Sequence, residues 1–436
     1  MIKEAPVDIP LSQSVATSYR WYIVVLLFFA TSINYLDRQV IGLLKPVLEV
    51  ELGWTEFDYG WIVTGFTAAY AIGLLVFGRL IDKLGSKKGF SLAIIIWSAA
   101  AMLHGAATST WGFVMARIGL GVGEGGNFPG AIKTVAEWFP KKERALATGL
   151  FNSGANVGAL LAPIAVPYIA VQYGWQYAFV ITGAFGFVWL IFWWIGYEIP
   201  QRHRRVSAAE LAHIQSDEAG PAAATVGKIG WKKILSIRQS YAFILGKLLT
   251  DPIWWFFLFW LPSYFSEKFY LDLKNIGLPL VIVYTATTVG SIGGGWLSSY
   301  LVKRGMPALK ARKTAMLLFA LCVTPVMFVR YVDGMWNIVA IISLAAAAHQ
   351  AWSANLFTTV SDMFPKHCVS SVTGIGGMAG AIGGALFPLG VGALLDHYDL
   401  LGNKMIGYNI LFVFSGCIYL TAWFIVNALA KKEVKV

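Results

Sequence analysis

Long apolar runs recur along the whole chain, and the first begins with WYIVVLLFFAT at Trp21. A run of about 18 or more apolar residues can cross a lipid bilayer as a helix, which satisfies its own backbone hydrogen bonds in lipid. The chain is 57% hydrophobic and only 13% charged, so it lacks the polar helix faces of a soluble enzyme. The sequence predicts an all-α membrane protein. We expect twelve transmembrane helices, over residues 21–49, 57–82, 87–107, 110–138, 144–171, 175–198, 239–267, 275–303, 311–331, 335–364, 369–395 and 404–430.

The net charge of +11 is distributed in a pattern that reports membrane topology. Lysines and arginines concentrate at alternate turns of the chain, around residues 79–88, 141–144, 202–205, 303–313 and 431–435. The intervening turns, such as 50–58 and 396–403, are acidic or neutral. Because basic loops stay on the cytoplasmic side of a membrane, we expect a multi-pass protein with both termini cytoplasmic. The basic balance therefore does not indicate a nucleic-acid partner.

A polar stretch divides the predicted helices into six and six. We expect an N-terminal half over 1–198, a cytoplasmic linker over 199–236 that includes a short helix capped by Ser207, and a C-terminal half over 237–436. Residues 135–163 align without a gap on residues 360–388, with nine identities in 29 positions. Duplicated halves are typical of transporters that rock one half against the other around a site at the bilayer midplane.

Several segments resemble a known family. GRLIDKLGSKK (78–88) resembles the signature loop between helices 2 and 3 of the major facilitator superfamily. Residues 116–154, together with NYLDR in the first segment and AHQAW in the tenth, resemble the anion:cation symporters of that superfamily, and bacterial hexuronate transporters in particular. The resemblance implies two pseudo-symmetric six-helix halves in the bacterial inner membrane. Sugar-acid, dicarboxylate and phosphate-ester carriers share this scaffold.

The resemblance also implies a conformational latch. In the family, the signature loop ties the two halves together in one access state, and the residues in its places here are Gly78, Arg79, Asp82 and Lys83. In the second copy of the loop the acidic position is occupied by Ser299. We therefore expect the first-half loop to be the main latch.

Asp37 and Arg38 lie side by side within the first apolar segment. A charged group at the bilayer centre costs about 2.5–3.5 kcal/mol on insertion scales, so each needs a partner or a water-filled cavity. Adjacent helical residues do not face each other, so a mutual ion pair does not explain both. Arg38 shares a helix face with Asn34 and Tyr35. A guanidinium beside a hydroxyl and an amide suits a ligand that carries a carboxylate and hydroxyl groups.

The fourth segment carries Arg117 and Glu124, seven residues apart and hence on one helix face. Desolvation favours the neutral form of a carboxyl group, so buried acids in transporters can carry protons. The resemblance implies that Asp37 and Glu124 are proton sites. It also implies that Arg38 binds the substrate carboxylate and that Arg117 is the switchable partner of the acids. The alternative is a fixed ion-pair cluster that only holds two helices together.

Further polar residues in the predicted helices are candidates for substrate contact. The substrate-binding set predicted beside Arg38 consists of Tyr35, Tyr70, Asn156, His349, Gln350, Ser353 and Asn355. His349 could titrate, or it could be a satisfied buried imidazole. Asp251 is either a gating group or the partner of Lys247, four residues earlier. Trp254 and Trp255 could stack on a sugar ring or face lipid.

We expect no cofactor, metal or ATP site. GVGEGG (121–126) matches a dinucleotide-binding pattern, but it lies inside a predicted membrane helix, where small residues allow close packing. The three cysteines are far apart and indicate neither a disulfide nor a metal site. We expect a monomeric proton-coupled symporter, not an enzyme, that imports a hexuronate such as glucuronate or galacturonate. The alternatives are a symporter for an aldonate or a dicarboxylate and a transport-inactive nutrient sensor on the same fold.

Overall fold

The structure, a computed structural model, describes residues 17–54, 56–216, 230–270 and 277–431. The regular elements in these ranges are helices. They are α1 (Tyr19–Leu52), α2 (Glu56–Leu84), α3 (Ser86–Leu103), α4 (Thr110–Glu124), α5 (Asn127–Trp138), α6 (Lys141–Tyr173), α7 (Trp175–Gly196), α8 (Ala208–Ile214), α9 (Trp231–Ser236), α10 (Arg238–Phe269), α11 (Gly277–Lys303), α12 (Ala308–Val323), α13 (Met335–Met363), α14 (Val369–Leu400) and α15 (Lys404–Leu429). The middle of the predicted linker, residues 217–229, lies outside the described residues.

Twelve membrane segments follow from these helices, as the sequence predicts. Among the described residues, nine helical segments are long and apolar enough to cross a membrane. The other three segments are α4 with α5, α10, and α13. Each of them carries polar or charged residues into the bundle, and α4 and α5 are 15 and 12 residues long by themselves. These polar residues lower the mean hydropathy of the three segments.

Two of the predicted helices are interrupted in the structure. The fourth segment is divided into α4 and α5 at Gly125 and Gly126. Pro129 cannot donate a hydrogen bond to the preceding turn, and two adjacent glycines tolerate the break. The ninth segment continues after α12 as a 3₁₀ helix over Thr324–Tyr331, in which Pro325 again lacks the N–H that an α-helix requires.

The two halves are joined at the end of the bundle where α1 begins and α15 ends, which we call the terminal end. There α2 packs along α14, and α6 packs along α11. A Cβ atom on Gly78 would clash with the carbonyl oxygen of Ser370, and one on Gly295 would clash with that of Ala145. These two contacts occupy equivalent places in the two copies of the repeat. Glycine allows the helices to approach this closely because it has no side chain.

The described part of the linker is fixed to the first half at the terminal end. Ser207 caps α8 by accepting a hydrogen bond from the Glu210 N–H at 3.2 Å, as predicted. The buried Glu210 carboxylate accepts from the N–H groups of Tyr19 and Arg20, at 3.1 and 3.0 Å. Arg20 also pairs with Glu143 at the beginning of α6, at 2.9 Å. The boundaries that we placed at residues 199 and 236 stay a prediction.

Candidate substrate-binding site

A cavity of about 280 Å³ lies between the two halves. This volume is near the lower end of the range for small-molecule sites, roughly 300–1,000 Å³. The wall of the cavity includes residues of α1, α2 and α6 from the first half and of α10, α13 and α14 from the second. The residues of the predicted substrate-binding set that line it are Tyr35, Arg38, Tyr70, Asn156, His349, Gln350 and Ser353.

With Arg117, Arg38 is one of two cations on the first-half wall. Its Nε and Nη2 atoms both donate to Oε2 of Glu124, at 2.9 and 2.8 Å. The guanidinium carbon lies 4.7 Å from the ring centre of Tyr35 and 4.6 Å from that of Tyr70. Asn34 contributes its side-chain oxygen 3.5 Å from Nη2, so the predicted polar stripe is present. Two aromatic rings and one carboxylate thus hold a guanidinium that borders the cavity.

The two buried acids have different surroundings, and neither belongs to the residues that line the cavity. Glu124 is fully buried and pairs with Arg38 through one oxygen, while the other oxygen has no hydrogen-bond partner among the described residues. Asp37 is 2% exposed. Thr182 faces it, but no donor in the described part of the chain reaches either carboxyl oxygen within hydrogen-bond distance and angle.

Arg117 joins this cluster from α4. Its Nη2 donates to the backbone carbonyl of Arg38 at 3.2 Å, and its guanidinium carbon lies 5.2 Å from the ring centre of Phe66. Arg117 interacts electrostatically with both Asp37 and Glu124. The structure therefore brings together the four charged residues that the sequence singled out. The roles assigned to them stay a prediction.

The second-half wall carries a second ion pair. Lys247 Nζ lies 2.7 Å from Oδ2 of Asp251, four residues later in α10, which is the simpler of the two interpretations that the sequence left open. The same ammonium lies 4.5 Å from the ring centre of Phe357. Both Lys247 and Asp251 line the cavity, so the site has a cation on each side.

His349 lies beside this pair in α13. Its ring stacks on Trp254, with ring centres 5.3 Å apart and an interplanar angle of 4°. Its Nδ1 is hydrogen-bonded to the hydroxyl of Tyr419. Trp254 and Trp255 both line the cavity, which leaves their interpretation as stacking surfaces for a sugar ring open to test. His349 is thus a buried, partnered imidazole that still borders the cavity.

Amide side chains connect the two halves at the cavity wall. Asn152 Nδ2 donates to Oε1 of Gln350 and to Oγ of Ser291, both at 3.0 Å. Asn152 and Gln350 also line the cavity. A ligand that binds Gln350 therefore competes with a hydrogen bond that joins α6 to α13.

The structure does not bring Asn355 to the cavity. Its Nδ2 donates to the carbonyl oxygens of Gly294 and Ala351, both at 2.9 Å, and so fixes α13 to α11. The spacing of residues along the helix could have distinguished Asn355 from the residues that line the cavity. Ser353 follows His349 by four residues and shares its face, whereas Asn355 follows by six and points about 120° away.

Two of the predicted latch residues contact the second half. Asp82 Oδ2 accepts from the backbone N–H of Ser371 at 2.7 Å, and Gly78 packs against α14. Asp82 Oδ1 lies 3.2 Å from Nζ of Lys133, a buried lysine that the sequence interpretation missed. The equivalent contact in the other copy is made by Ser299, whose hydroxyl accepts from the N–H of Leu146 at 3.3 Å.

The other two predicted latch residues are less enclosed. Arg79 is half-buried and Lys83 is exposed. A further cluster that the sequence interpretation missed joins the two halves. Asp362 of α13 lies 3.5 Å from Nη1 of Arg144 and 3.1 Å from Nε of Arg312. The sequence could have indicated this cluster, because arginines and lysines inside apolar segments need partners.

Comparisons with known proteins agree with this architecture. The family model of the Major Facilitator Superfamily matches residues 27–388. The hexuronate transporter of Escherichia coli (strain K12) is 31% identical over 401 residues, which are 89% of this chain and 93% of that protein. The D-galactonate transporter of E. coli O6:H1 is 28% identical over 401 residues, covering 90% and 93%.

Two further comparisons define the range of similar proteins. The "Probable galactarate/D-glucarate transporter GarP" of E. coli (strain K12) is 29% identical over 437 residues, which are 95% of this chain and 96% of that protein. Among solved structures, the E. coli fucose:proton symporter superposes with a TM-score of 0.71 at 15% identity, covering 95% of this chain and 100% of that chain. At this identity the structural match shows a shared fold.

Proposed function

The chain belongs to the Major Facilitator Superfamily, and from this membership we propose that it is a proton-coupled symporter that imports a sugar-acid anion, with a hexuronate such as glucuronate or galacturonate as substrate. The observation that carries the proposal is Arg38, a guanidinium beside the rings of Tyr35 and Tyr70 on the wall of a cavity between the halves. The similarity to a protein named as a hexuronate transporter supports the substrate class.

Substrate recognition follows from the chemistry of the wall. A carboxylate binds a guanidinium through two parallel hydrogen bonds, which Arg38 can offer once Glu124 no longer occupies it. The hydroxyl groups of the sugar then reach the amide of Asn156 and the polar groups of Gln350 and Ser353, all of which line the cavity. The aromatic rings beside Arg38 exclude water and keep the guanidinium in position.

Proton binding is coupled to the substrate through the acids. Protonation of Glu124 weakens its ion pair with Arg38 and releases the guanidinium for an anion. A buried carboxylate without donors is costly, so Asp37 is suited to hold a proton as well. Import of a lone anion against an interior-negative potential costs about 2.3 kcal/mol per 100 mV, and one co-transported proton makes the step electroneutral.

We assign the terminal end of the bundle to the cytoplasm, because the basic loops lie there. In the structure the contacts of Asp82 with Ser371 and of Arg144 with Asp362 hold this end together. The cavity is therefore closed towards the cytoplasm in this state, and proton and substrate enter from the opposite side. Separation of these contacts as the halves rock would release both inside the cell.

The proposal is tested by uptake into proteoliposomes. Labelled glucuronate and galacturonate are supplied with and without an inward proton gradient, and with a protonophore as control. Gradient-dependent accumulation of either is expected. Failure of folded protein to accumulate either would reject the hexuronate assignment, and the same assay with galactonate and galactarate would test the alternatives that the names of the relatives suggest.

The sensor alternative is tested with Asp37→Asn. A carrier with this change still binds ligand but loses uphill transport, because the proton site is gone. A sensor needs no proton cycle, so its parent protein would bind ligand and never move it. Equilibrium binding and uptake, measured on the same preparations, separate the two.

A further inference from the structure

The ion pair between Lys247 and Asp251 is not used by the mechanism proposed above. Nζ of Lys247 lies 2.7 Å from Oδ2 of Asp251, and their side chains are 9% and 18% exposed. Both residues line the cavity. The pair is thus enclosed by protein and yet accessible to a bound ligand.

The pair faces the wall that holds Arg38. Tyr35 and Tyr70 lie beside the Arg38 guanidinium in the first half, and Lys247 and Asp251 line the same cavity from the second half. A ligand whose carboxylate rests on Arg38 therefore directs its other end towards Lys247 and Asp251. The cavity, at about 280 Å³, confines a small ligand between these two positions.

An intact lysine–aspartate pair offers one strong donor and one strong acceptor side by side. A hydroxyl group can accept a hydrogen bond from the ammonium and donate one to the carboxylate, so it can bind to both members of the pair. A second carboxylate would meet the negative charge of Asp251 at short range, and juxtaposed like charges in a desolvated site are strongly unfavourable.

We propose that the Lys247–Asp251 pair is a specificity subsite that binds the hydroxylated end of a sugar monocarboxylate and rejects a second carboxylate. The inference rests on the proposed function and narrows it. Uronates and aldonates fit the site, and sugar dicarboxylates (aldarates) are excluded by Asp251.

The packing around the pair fixes its position. A Cβ atom on Gly380 of α14 would clash with Oδ2 of Asp251 and would lie 3.3 Å from Cε of Lys247. On the other side, the ring of Phe357 lies 4.5 Å from the ammonium. The glycine leaves the space that the carboxylate occupies, so its orientation is set by the fold.

The test is the ratio of the dissociation constants of galactarate and glucuronate, measured by equilibrium binding to purified full-length protein at one pH and ionic strength. Wild-type protein is expected to bind glucuronate more tightly. Asp251→Asn should shift the ratio towards galactarate by about tenfold or more, because the repelling charge is gone while Lys247 remains. Asp333→Asn removes an exposed acid that does not line the cavity and serves as the matched control, with a shift of about twofold or less.

A second variant keeps both charges. Gly380→Ala displaces the Asp251 carboxylate and should weaken glucuronate binding without allowing galactarate to bind. The control is Gly390→Ala in the same helix, where a Cβ meets nothing within 4 Å, and it should leave the binding of both sugar acids unchanged.

Three results overturn the inference. They are wild-type protein that binds galactarate as tightly as glucuronate, an unchanged ratio in Asp251→Asn, and an equal shift in Asp333→Asn. The proposed function survives all of them as long as glucuronate is still transported with protons. Folded wild-type protein that neither binds nor transports glucuronate rejects the proposed function itself, and the inference with it.

Discussion

Arg38 shows how a single side chain can be held by the protein and remain available to a ligand. Its two shortest hydrogen bonds go to one oxygen of Glu124, and its guanidinium carbon lies within 5 Å of the ring centres of Tyr35 and Tyr70. The planar guanidinium makes this possible, since its edge binds anions while its faces stack on rings. A lysine ammonium is a point charge and cannot reproduce this arrangement.

We therefore predict that Arg38→Lys abolishes nearly all uptake of labelled hexuronate, because a point charge replaces a two-pronged donor. Arg304→Lys is the matched control, since Arg304 is exposed, stacks on Tyr300 and does not line the cavity. The control should transport normally. Wild-type uptake by Arg38→Lys would remove Arg38 from the binding site.

Glu124→Gln tests the coupling role of the acid. Glutamine can still hydrogen-bond Arg38, but it cannot bind or release a proton, so accumulation against a gradient should be lost while exchange of internal for external substrate persists. Glu198→Gln changes an acid whose side chain is 40% exposed and pairs with Lys87, and it should leave accumulation intact. Undiminished accumulation by Glu124→Gln would refute the coupling role.

At the scale of helices, the apolar runs of the sequence predict where membrane segments begin and end to within a few residues. They do not predict the breaks within segments, because Pro129 and Pro325 act on the hydrogen bonds of the backbone and leave the hydropathy pattern unchanged. The short capped helix after Ser207 was predictable, since a cap is a local feature. The docking of this helix on α1 through Glu210 was not predictable, because the contact joins residues about 190 positions apart in the sequence.

The contact of α2 with α14 gives a prediction that native cysteine chemistry can report. In Gly78→Ala the new Cβ meets the Ser370 carbonyl oxygen at 2.6 Å, which should force the helices apart at the terminal end. Burial raises the pKa of Cys368, the residue before α14, to about 12, so its thiol should label slowly near neutral pH. We expect faster maleimide labelling of Cys368 and reduced uptake.

The labelling experiment uses protein in which Cys322 and Cys417 are replaced by serine, because these are the other two cysteines of the chain. Gly293→Ala is the control for the substitution, since a Cβ there meets nothing within 4 Å. Equal labelling rates in Gly78→Ala and its control would show that the α2–α14 contact does not close this end.

The docked linker helix gives a prediction about stability. Glu210→Ala removes the acceptor for the N–H groups of Tyr19 and Arg20 and for the Arg20 side chain. The docked linker should lose about 1–3 kcal/mol of stability, because these hydrogen bonds go to a charged group. Trypsin should then cleave Glu210→Ala faster than wild-type protein after the exposed arginines of the linker. The control variant Gln201→Ala should be cleaved at the wild-type rate. Equal cleavage rates in the two variants would contradict the docking.

The same contact has a defined pH dependence. Burial raises the pKa of Glu210, but hydrogen bonds from Thr17 and from the backbone and side chain of Arg20 lower it by more. A carboxyl whose folded-state pKa is lowered stabilises the fold above its ordinary pKa, and this contribution is lost as the pH falls below about 4.3. Protection of the linker from an acid-active protease should therefore fall in that range in wild-type protein. It should fall less in Glu210→Ala, in which Glu143, the partner of His213 in the linker helix, still titrates.

At the scale of the whole molecule, the site is assembled from two copies of one six-helix unit. Seven residues of the predicted substrate-binding set lie on its wall, and spacing within one helix places Tyr35 beside Arg38, and His349 beside Ser353. The sequence could not predict which helices meet. The pairing of Asp82 with Lys133 and that of Asp362 with Arg144 and Arg312 depend on the rotation and tilt of separate helices, which no spacing within one helix specifies.

The measurement that tests the central claim most directly is the pH inside proteoliposomes that contain a trapped fluorescent pH indicator. Addition of glucuronate or galacturonate outside, with no imposed gradient, should acidify the lumen, because each sugar acid carries at least one proton inward. Glu124→Gln in the same vesicles should abolish the signal. Uptake of the labelled sugar acid without any acidification would contradict proton-coupled transport.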